Sequence, residues 1–323
     1  MKLTIFCDTT FPEEALSAFS EGAAGHSLVF GAARTSSNLA SGAPDPALLT
    51  ADVAFGQPAV DGLLGSSRLR WAHLTSAGYT RYDVDAIRAA LTSKGVALTT
   101  SSTVYADPCA EHVLAMMLSM ARRLPESLDA QRTTRAWESV LRRERSILLR
   151  GQTVLLLGYG AIGRRLAELL APFEVRLLAV RRRAEGDPHV TVVHEGDIER
   201  ALGEADHVVN VLPENMGTRG FLDRARLARM REGAFVYNVG RGTTVDQSAL
   251  LEALQSGRLG GAYLDVTEVE PLSADHPLWS APNCFITPHA AGGRRGEHLA
   301  LVRHFLDNLR RFERGEALLD RVL

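Results

Sequence analysis

The chain has 323 residues, of which 46% are hydrophobic and 23% charged, with 36 Lys+Arg against 38 Asp+Glu and a formal net charge of −2. At roughly 100–200 residues per domain this predicts two domains of ordinary globular composition, with no global attraction to nucleic acid or to an anionic membrane. No run of about 18 apolar residues is present to span a bilayer. The apolar stretch after Met1-Lys2 is too short for a secretory signal, so a cytoplasmic protein is expected.

The first region alternates strand-like and helix-like segments. Lys2–Phe6 is rich in β-formers and Glu13–Phe19 has helical spacing. Ala32–Pro46, rich in Ala, Ser, Gly and Pro, reads as a surface loop. Asp52–Phe55 and Leu69–Leu74 read as strands, followed by the turn Ser76-Ala77-Gly78, a helix over Asp83–Leu91 and a strand at Val96–Thr99. This alternation predicts a parallel sheet with helices on both faces. Asp107–Leu124 has helical spacing, with Val113, Leu114, Met117 and Met120 on a core-facing side. The mixed-charge stretch Arg132–Arg150 reads as a solvated helix or connector.

A second alternating region opens at Thr153. Its strands are expected at 153–157, 176–180, 207–211, 234–238, 261–265 and 284–287, and the chain ends in a helical run, Glu297–Phe312. Cys7, Cys109 and Cys284 lie far apart, which fits neither a disulfide framework nor a zinc site. With no Cys-x-x-Cys and no His-Glu-x-x-His, no protein-bound metal is expected.

The segment Gly158-Tyr159-Gly160-Ala161-Ile162-Gly163 follows a buried strand and opens a helix. In that context the three glycines allow a tight turn, the close approach of a pyrophosphate and close helix–strand packing, and the helix N-terminus favours phosphate. A dinucleotide site is expected. An NAD-preferring site carries Asp or Glu at the end of the next strand, roughly 20 residues on. Here Arg181-Arg182-Arg183 stand in its place. Three guanidinium groups suit a 2′-phosphate, so NADP(H) is the expected cofactor, with NAD(H) as the alternative.

Four further segments belong together: Asn238-Val239-Gly240-Arg241-Gly242, Leu264-Asp265 through Glu270-Pro271-Leu272, Thr287-Pro288-His289 through Gly292, and Ala110-Glu111-His112 upstream. Their order and spacing resemble the D-isomer-specific 2-hydroxyacid dehydrogenases, among them glyoxylate/hydroxypyruvate reductases and phosphoglycerate dehydrogenase. The resemblance is strongest from Val104 to Gly292 and weakest in the first 65 residues. It implies an NAD(P)H-dependent oxidoreductase acting on a small 2-keto or D-2-hydroxy acid. Arg241 would bind the substrate carboxylate with its planar fork. His289 would donate the proton, and Glu270 would orient the imidazole and favour its charged form.

The resemblance also places Asp265 against the nicotinamide carboxamide. Val211, Leu212, Pro213 and Thr218 would lie along the cofactor, with Val239, Gly240 and Gly292 around its ring. Ser76-Ala77-Gly78 would hold the substrate carboxylate through backbone N–H groups. Arg294 or Arg295 would line the pocket or start a surface helix, and His73 and His112 carry a packing role. The implied architecture is α/β: two Rossmann-like, doubly wound parallel-sheet domains with a cleft between them. A substrate domain would comprise 1–99 plus 291–323, a dinucleotide domain 100–290, and the assembly would be a homodimer. Formate dehydrogenase relatives carry Gln where this chain has Glu270. Phosphite oxidation on the same scaffold and a dinucleotide-sensing corepressor remain the rival readings.

Overall fold

Residues 2–37, 40, 42–180 and 190–323 are described by the structure, a computed structural model. The chain divides into two units, Met1–Tyr105 with Gly293–Leu323, and Ala106–Gly292. The sequence placed the divisions at 99/100 and 290/291. The helix Ser102–Ala121 begins in the first unit and continues into the second, so the first division falls inside it.

In the first unit, β1 (Thr4–Thr9), β2 (Ser27–Thr35), β3 (Val53–Gly56), β4 (Trp71–Leu74) and β5 (Ala97–Thr99) form a parallel sheet in the order β2-β1-β3-β4-β5. Period-two alternation sends Ile5, Cys7, Val53, Phe55 and Trp71 to one face and Phe6, Ala54, Ala72, Leu74 and Leu98 to the other. The first face is covered by helix Glu13–Gly22 and by helix Glu297–Arg314. The latter contributes Val302, Phe305, Leu306 and Leu309, an i, i+3, i+4, i+7 stripe. The Phe305 ring stacks on Phe55 at 4.2 Å and on Trp71 at 5.1 Å between centroids.

Strand β2 corrects the loop expected over Ala32–Pro46, for the strand runs on to Thr35. It is an edge strand whose Ala32–Arg34 side chains are exposed. Backbone pairing to β1, aided by the Asp45 carboxylate on Ala32 N (2.7 Å), holds it in place of an apolar pattern.

In the second unit, β6 (Thr153–Leu157), β7 (Arg176–Val180), β8 (Thr191–Val193), β9 (His207–Asn210), β10 (Phe235–Asn238), β11 (Gly261–Leu264) and β12 (Cys284–Ile286) are parallel in the order β12-β11-β10-β9-β6-β7-β8. Only the short edge strand β8 has no counterpart in the sequence reading. The central strands β6, β9, β10 and β11 are buried throughout, as apolar runs covered on both faces must be. The order in which strands are added reverses between β6 and β9, the switch point at which such sheets bind ligands outside their carboxyl ends. Register places Leu157, Asn210, Asn238, Leu264 and Ile286 in one row. The segments beginning at Gly158, Val211, Val239, Asp265 and Thr287 therefore leave the sheet at one edge.

The connector between helix Ser102–Ala121 and β6 forms two short helices, Leu124–Arg132 and Ser139–Arg145, neither with a buried residue. Trp137, at 95% exposure, and Val140 and Leu148 stand open on it. No helix among the described residues is long and apolar enough to cross a membrane.

Candidate active site

Gly158 leaves β6 with φ +99°, and Gly160 precedes helix Ala161–Leu170. A Cβ at Gly163 would stand 2.7 Å from the Gly158 carbonyl oxygen, so helix and strand could not pack this closely around any larger residue. A Cβ at Gly160 would meet no atom within 4 Å. Protein packing does not require that glycine. The close approach of a pyrophosphate to the helix N-terminus does, and the turn fits such a group. Tyr159 is buried, while Ala161 and Ile162 open the helix half-buried. Arg181, Arg182 and Arg183 lie outside the described residues. Across the switch point, Thr218 Oγ1 donates to Pro213 O (2.5 Å) and accepts from Asn215 N (2.9 Å), closing the loop after Leu212 on itself.

Arg241 follows β10. Its Nη1 donates to Gly240 O at 2.7 Å. Burial pulls its pKa below the ordinary guanidinium value, and the charges of Glu270 and Glu214 pull the other way. Glu270 reaches back toward its own loop, with Oε1 accepting from Thr267 N (3.0 Å) and Oε2 from His289 Nδ1 (2.8 Å). Burial works against its charge. The His289 hydrogen bond, the Thr267 amide and the charges of His289 and Arg241 outweigh it, and the carboxyl titrates below the usual glutamate range.

His289 has φ +51°, a conformation costing a residue with a Cβ about 1–3 kcal/mol unless its surroundings fix it. Asp265 does so. Its carbonyl accepts from His289 N (2.8 Å), and its carboxylate accepts from Thr287 Oγ1 (2.6 Å), Ala290 N (2.8 Å) and Ala291 N (3.0 Å). The clasp thus takes donors on both sides of the imidazole-bearing residue. Thr287 is in turn bonded to the Tyr263 hydroxyl (2.6 Å), and the His112 ring stacks on the Tyr263 ring at 5.5 Å between centroids. Because a carboxylate only accepts, Nδ1 of His289 carries the hydrogen, and Nε2 is left to exchange a proton with a ligand.

In the first unit, Ser76 Oγ donates to Gly78 O (2.6 Å) and accepts from Gln57 Nε2 (3.0 Å). The Ala77 and Gly78 amides have no acceptor among the described residues, an arrangement suited to an anion. Beneath this turn, Asp8 Oδ1 accepts from Gln57 N (2.8 Å) while Oδ2 is buried without a partner, and burial raises the carboxyl to about 6. His73 is a satisfied core histidine, bonded to Thr99 Oγ1 (2.6 Å) and Ser101 Oγ (3.2 Å). Arg294 and Arg295 are exposed, and Gly292 is half-buried. Sequence reasoning missed Asn210, Thr244 and Tyr263, and gave no role to Asn238 or Thr287 within their motifs. For the two asparagines the one signal was a polar residue closing an apolar strand.

The strand order and the turns along its carboxyl edge define a dinucleotide-dependent enzyme, and likeness to known proteins narrows the class. The model of the D-isomer specific 2-hydroxyacid dehydrogenase, NAD binding domain, matches residues 114–291. Glyoxylate/hydroxypyruvate reductase B of Pectobacterium carotovorum subsp. carotovorum (strain PC1) is 34% identical over 270 residues, 82% of this chain and 83% of that protein. The D-isomer specific 2-hydroxyacid dehydrogenase of Xanthobacter autotrophicus Py2, solved with NADPH and MES, is 27% identical with a TM-score of 0.82, covering 100% of this chain and 98% of that one. The NADPH-dependent glyoxylate/hydroxypyruvate reductase of Sinorhizobium meliloti, solved with NADP and sulfate, is 26% identical with a TM-score of 0.78, covering 99% and 98%.

The chain belongs to the D-isomer specific 2-hydroxyacid dehydrogenase family. It is an oxidoreductase that moves a hydride between a nicotinamide dinucleotide and a 2-keto or 2-hydroxy acid.

Proposed function

We propose that the chain reduces small 2-keto acids with NADPH, with glyoxylate and hydroxypyruvate as the first candidates. The reading is carried by the 2.8 Å bond between His289 Nδ1 and Glu270 Oε2, which presents Nε2 as the proton donor. Bound dinucleotide supplies the hydride. Arg241 grips the substrate carboxylate and polarises the ketone. His289, oriented by Glu270, protonates the carbonyl oxygen from Nε2. In the other unit, the Ala77 and Gly78 amides are suited to an anionic group. Gly158 through Gly163 take the pyrophosphate, Leu212, Pro213 and Thr218 flank the dinucleotide, and Val239, Gly240, Asp265 and Gly292 surround its nicotinamide. On this reading Ala106–Gly292 is the dinucleotide unit and the remainder the substrate unit.

NADPH is favoured by the three arginines at 181–183 in the sequence, and by the NADPH bound to the Xanthobacter relative. A homodimer is supported by the open apolar side chains of Trp137, Val140 and Leu148 on the connector. The decisive assay is loss of NADPH absorbance with glyoxylate, hydroxypyruvate and phenylpyruvate, run beside NADH. NADPH binding without turnover of any of the three would overturn the proposal and favour a dinucleotide-sensing binding protein.

A further inference from the structure

Asn210 and Asn238 end neighbouring strands, β9 and β10, and pair in register. Their exposures are 0% and 1%. A buried primary amide costs free energy unless its polar atoms are bonded, and here the bonds form one connected set. Asn210 Nδ2 donates to Asn238 Oδ1 (2.9 Å) and to Thr244 Oγ1 (2.6 Å). Asn210 Oδ1 accepts from Leu212 N (3.3 Å). Asn238 Oδ1 also accepts from Gly240 N (3.1 Å), and its Nδ2 donates to Arg241 O (3.1 Å). The buried Thr244 hydroxyl donates to the same Arg241 oxygen (2.5 Å), which Thr244 N reaches as well (3.2 Å).

The direction of these bonds is forced. The Leu212 and Gly240 amides can only donate and the Arg241 carbonyl can only accept, so neither asparagine can flip and the Thr244 proton must face Arg241. The network ends on two turns, 211–213 and 239–242, which are already in close contact. A Cβ at Gly240 would stand 2.7 Å from Leu212 O and 2.9 Å from Leu212 N. The Arg241 carbonyl receives three donors, so the backbone that carries the guanidinium is pinned while the tip of the side chain is left to meet a ligand.

We infer that Asn210 and Asn238, relayed through Thr244, are positioning residues for keto-acid reduction: they fix the Arg241 backbone against the Leu212 and Gly240 turns and so set where the guanidinium meets the substrate carboxylate. The inference rests on the reading that Arg241 binds that carboxylate. A misplacement of about 1 Å at a reacting centre can cost about 100-fold in rate, which makes a buried amide pair with no flipped alternative a suitable anchor.

The test is a pair of near-isosteric variants. In Asn238→Asp the ionised side chain sets oxygen against the Arg241 carbonyl, whereas the protonated acid can donate as the amide did. The titratable groups around the Arg241 guanidinium are Glu270, Glu214 and Cys109. At pH 8 the variant should lose about 10- to 100-fold in kcat/KM. The keto-acid KM should rise more than the NADPH Kd, and the variant-to-parent ratio should recover as pH is lowered toward 5.5. Thr244→Val, which replaces the hydroxyl with a methyl and leaves Asn210 Nδ2 short of an acceptor, should lower the melting temperature and raise the keto-acid KM more than the NADPH Kd, with no such recovery.

A parent-like KM in Thr244→Val, or a ratio for Asn238→Asp that does not change with pH, overturns the inference. If Asn238→Asp does not fold, Thr244→Val decides alone. Arg241→Lys is measured alongside. Parent-like kinetics there would instead overturn the reading of Arg241 itself.

Discussion

Glu270→Gln removes a negative charge and keeps the side chain's shape. In the parent, His289 Nδ1 donates to the Glu270 carboxylate at 2.8 Å. A hydrogen bond to a charged partner contributes about 1.5–3 kcal/mol. The two side chains are 25% and 34% exposed, which places this bond toward the lower end. About 1.4 kcal/mol corresponds to a tenfold change in an equilibrium. On the proposed mechanism reduction draws a proton from the imidazole, so the charged ring is the form that reacts. The carboxylate favours the charged ring and the amide does not. The falling limb of kcat/KM for reduction should therefore move to lower pH. Above the limb the variant should be about tenfold slower, and well below it the two enzymes should converge. Oxidation of the hydroxy acid needs the neutral ring, so its rising limb should move the same way and leave the variant faster in that window. Initial rates of NADPH loss between pH 5.5 and 9, with keto acid well below KM, measure the reduction limb. A limb that stays in place, whatever the absolute rate, refutes the pairing.

Other outcomes follow from individual residues. One charged contact to a 2′-phosphate is worth about 1.5–3 kcal/mol, so the parent should prefer NADPH over NADH by roughly 10- to 100-fold and Arg181→Asp should abolish the preference. Equal KM values for the two cofactors in the parent would relegate the arginines to a solvated turn. Gly160→Ala should fold as the parent does and bind NADPH more weakly. Gly163→Ala should lose about 1–3 kcal/mol of stability, because its methyl meets the Gly158 carbonyl. Thermal melts and a fluorescence titration separate the two, and undiminished NADPH affinity in Gly160→Ala would count against the phosphate turn. Burial pushes the Asp8 carboxyl from its ordinary 3.8 up to about 6, so the folded state binds the extra proton and stability falls as pH rises from about 4 through about 6. Two units amount to about 3 kcal/mol. Asp8→Asn should remove that part of the slope between pH 4.5 and 7.5, and a variant with the parent's slope in melting temperature would exclude Asp8 as its source.

What the sequence disclosed was local or repeated. Thr153–Leu157, the glycine turn and the following helix were legible because a strand run, three glycines and a helical stripe sit side by side. Arg241, Glu270 and His289 were legible as a set because each lies in its own short motif. The edge strands β2 and β8 were not, since exposed edges carry no apolar alternation. Helix Ser102–Ala121 was expected only from Asp107, because Pro108 reads as a first-turn residue. The fold instead carries the helix through it. Asn210 and Thr244 meet across 34 residues, and Asp265 meets Ala291 across 26. Such partnerships depend on strand register, and one sequence read alone holds no record of it.

The helix Glu297–Arg314 has a consequence for how the molecule is made. Phe55 and Trp71 belong to strands synthesised early, yet the ring that stacks on both is Phe305. Ribosomes add about 5–20 residues per second, so the stretch from Tyr105 to Phe305 takes about 10–40 s. Throughout that interval one apolar face of the first sheet has only helix Glu13–Gly22 to cover it, while Ala106–Gly292 can complete a sheet of its own. The usual order of folding is thereby inverted: the unit begun first is finished last. A nascent chain stalled near Gly292 would present Ile5, Val53, Phe55 and Trp71 to chaperones or to other nascent chains.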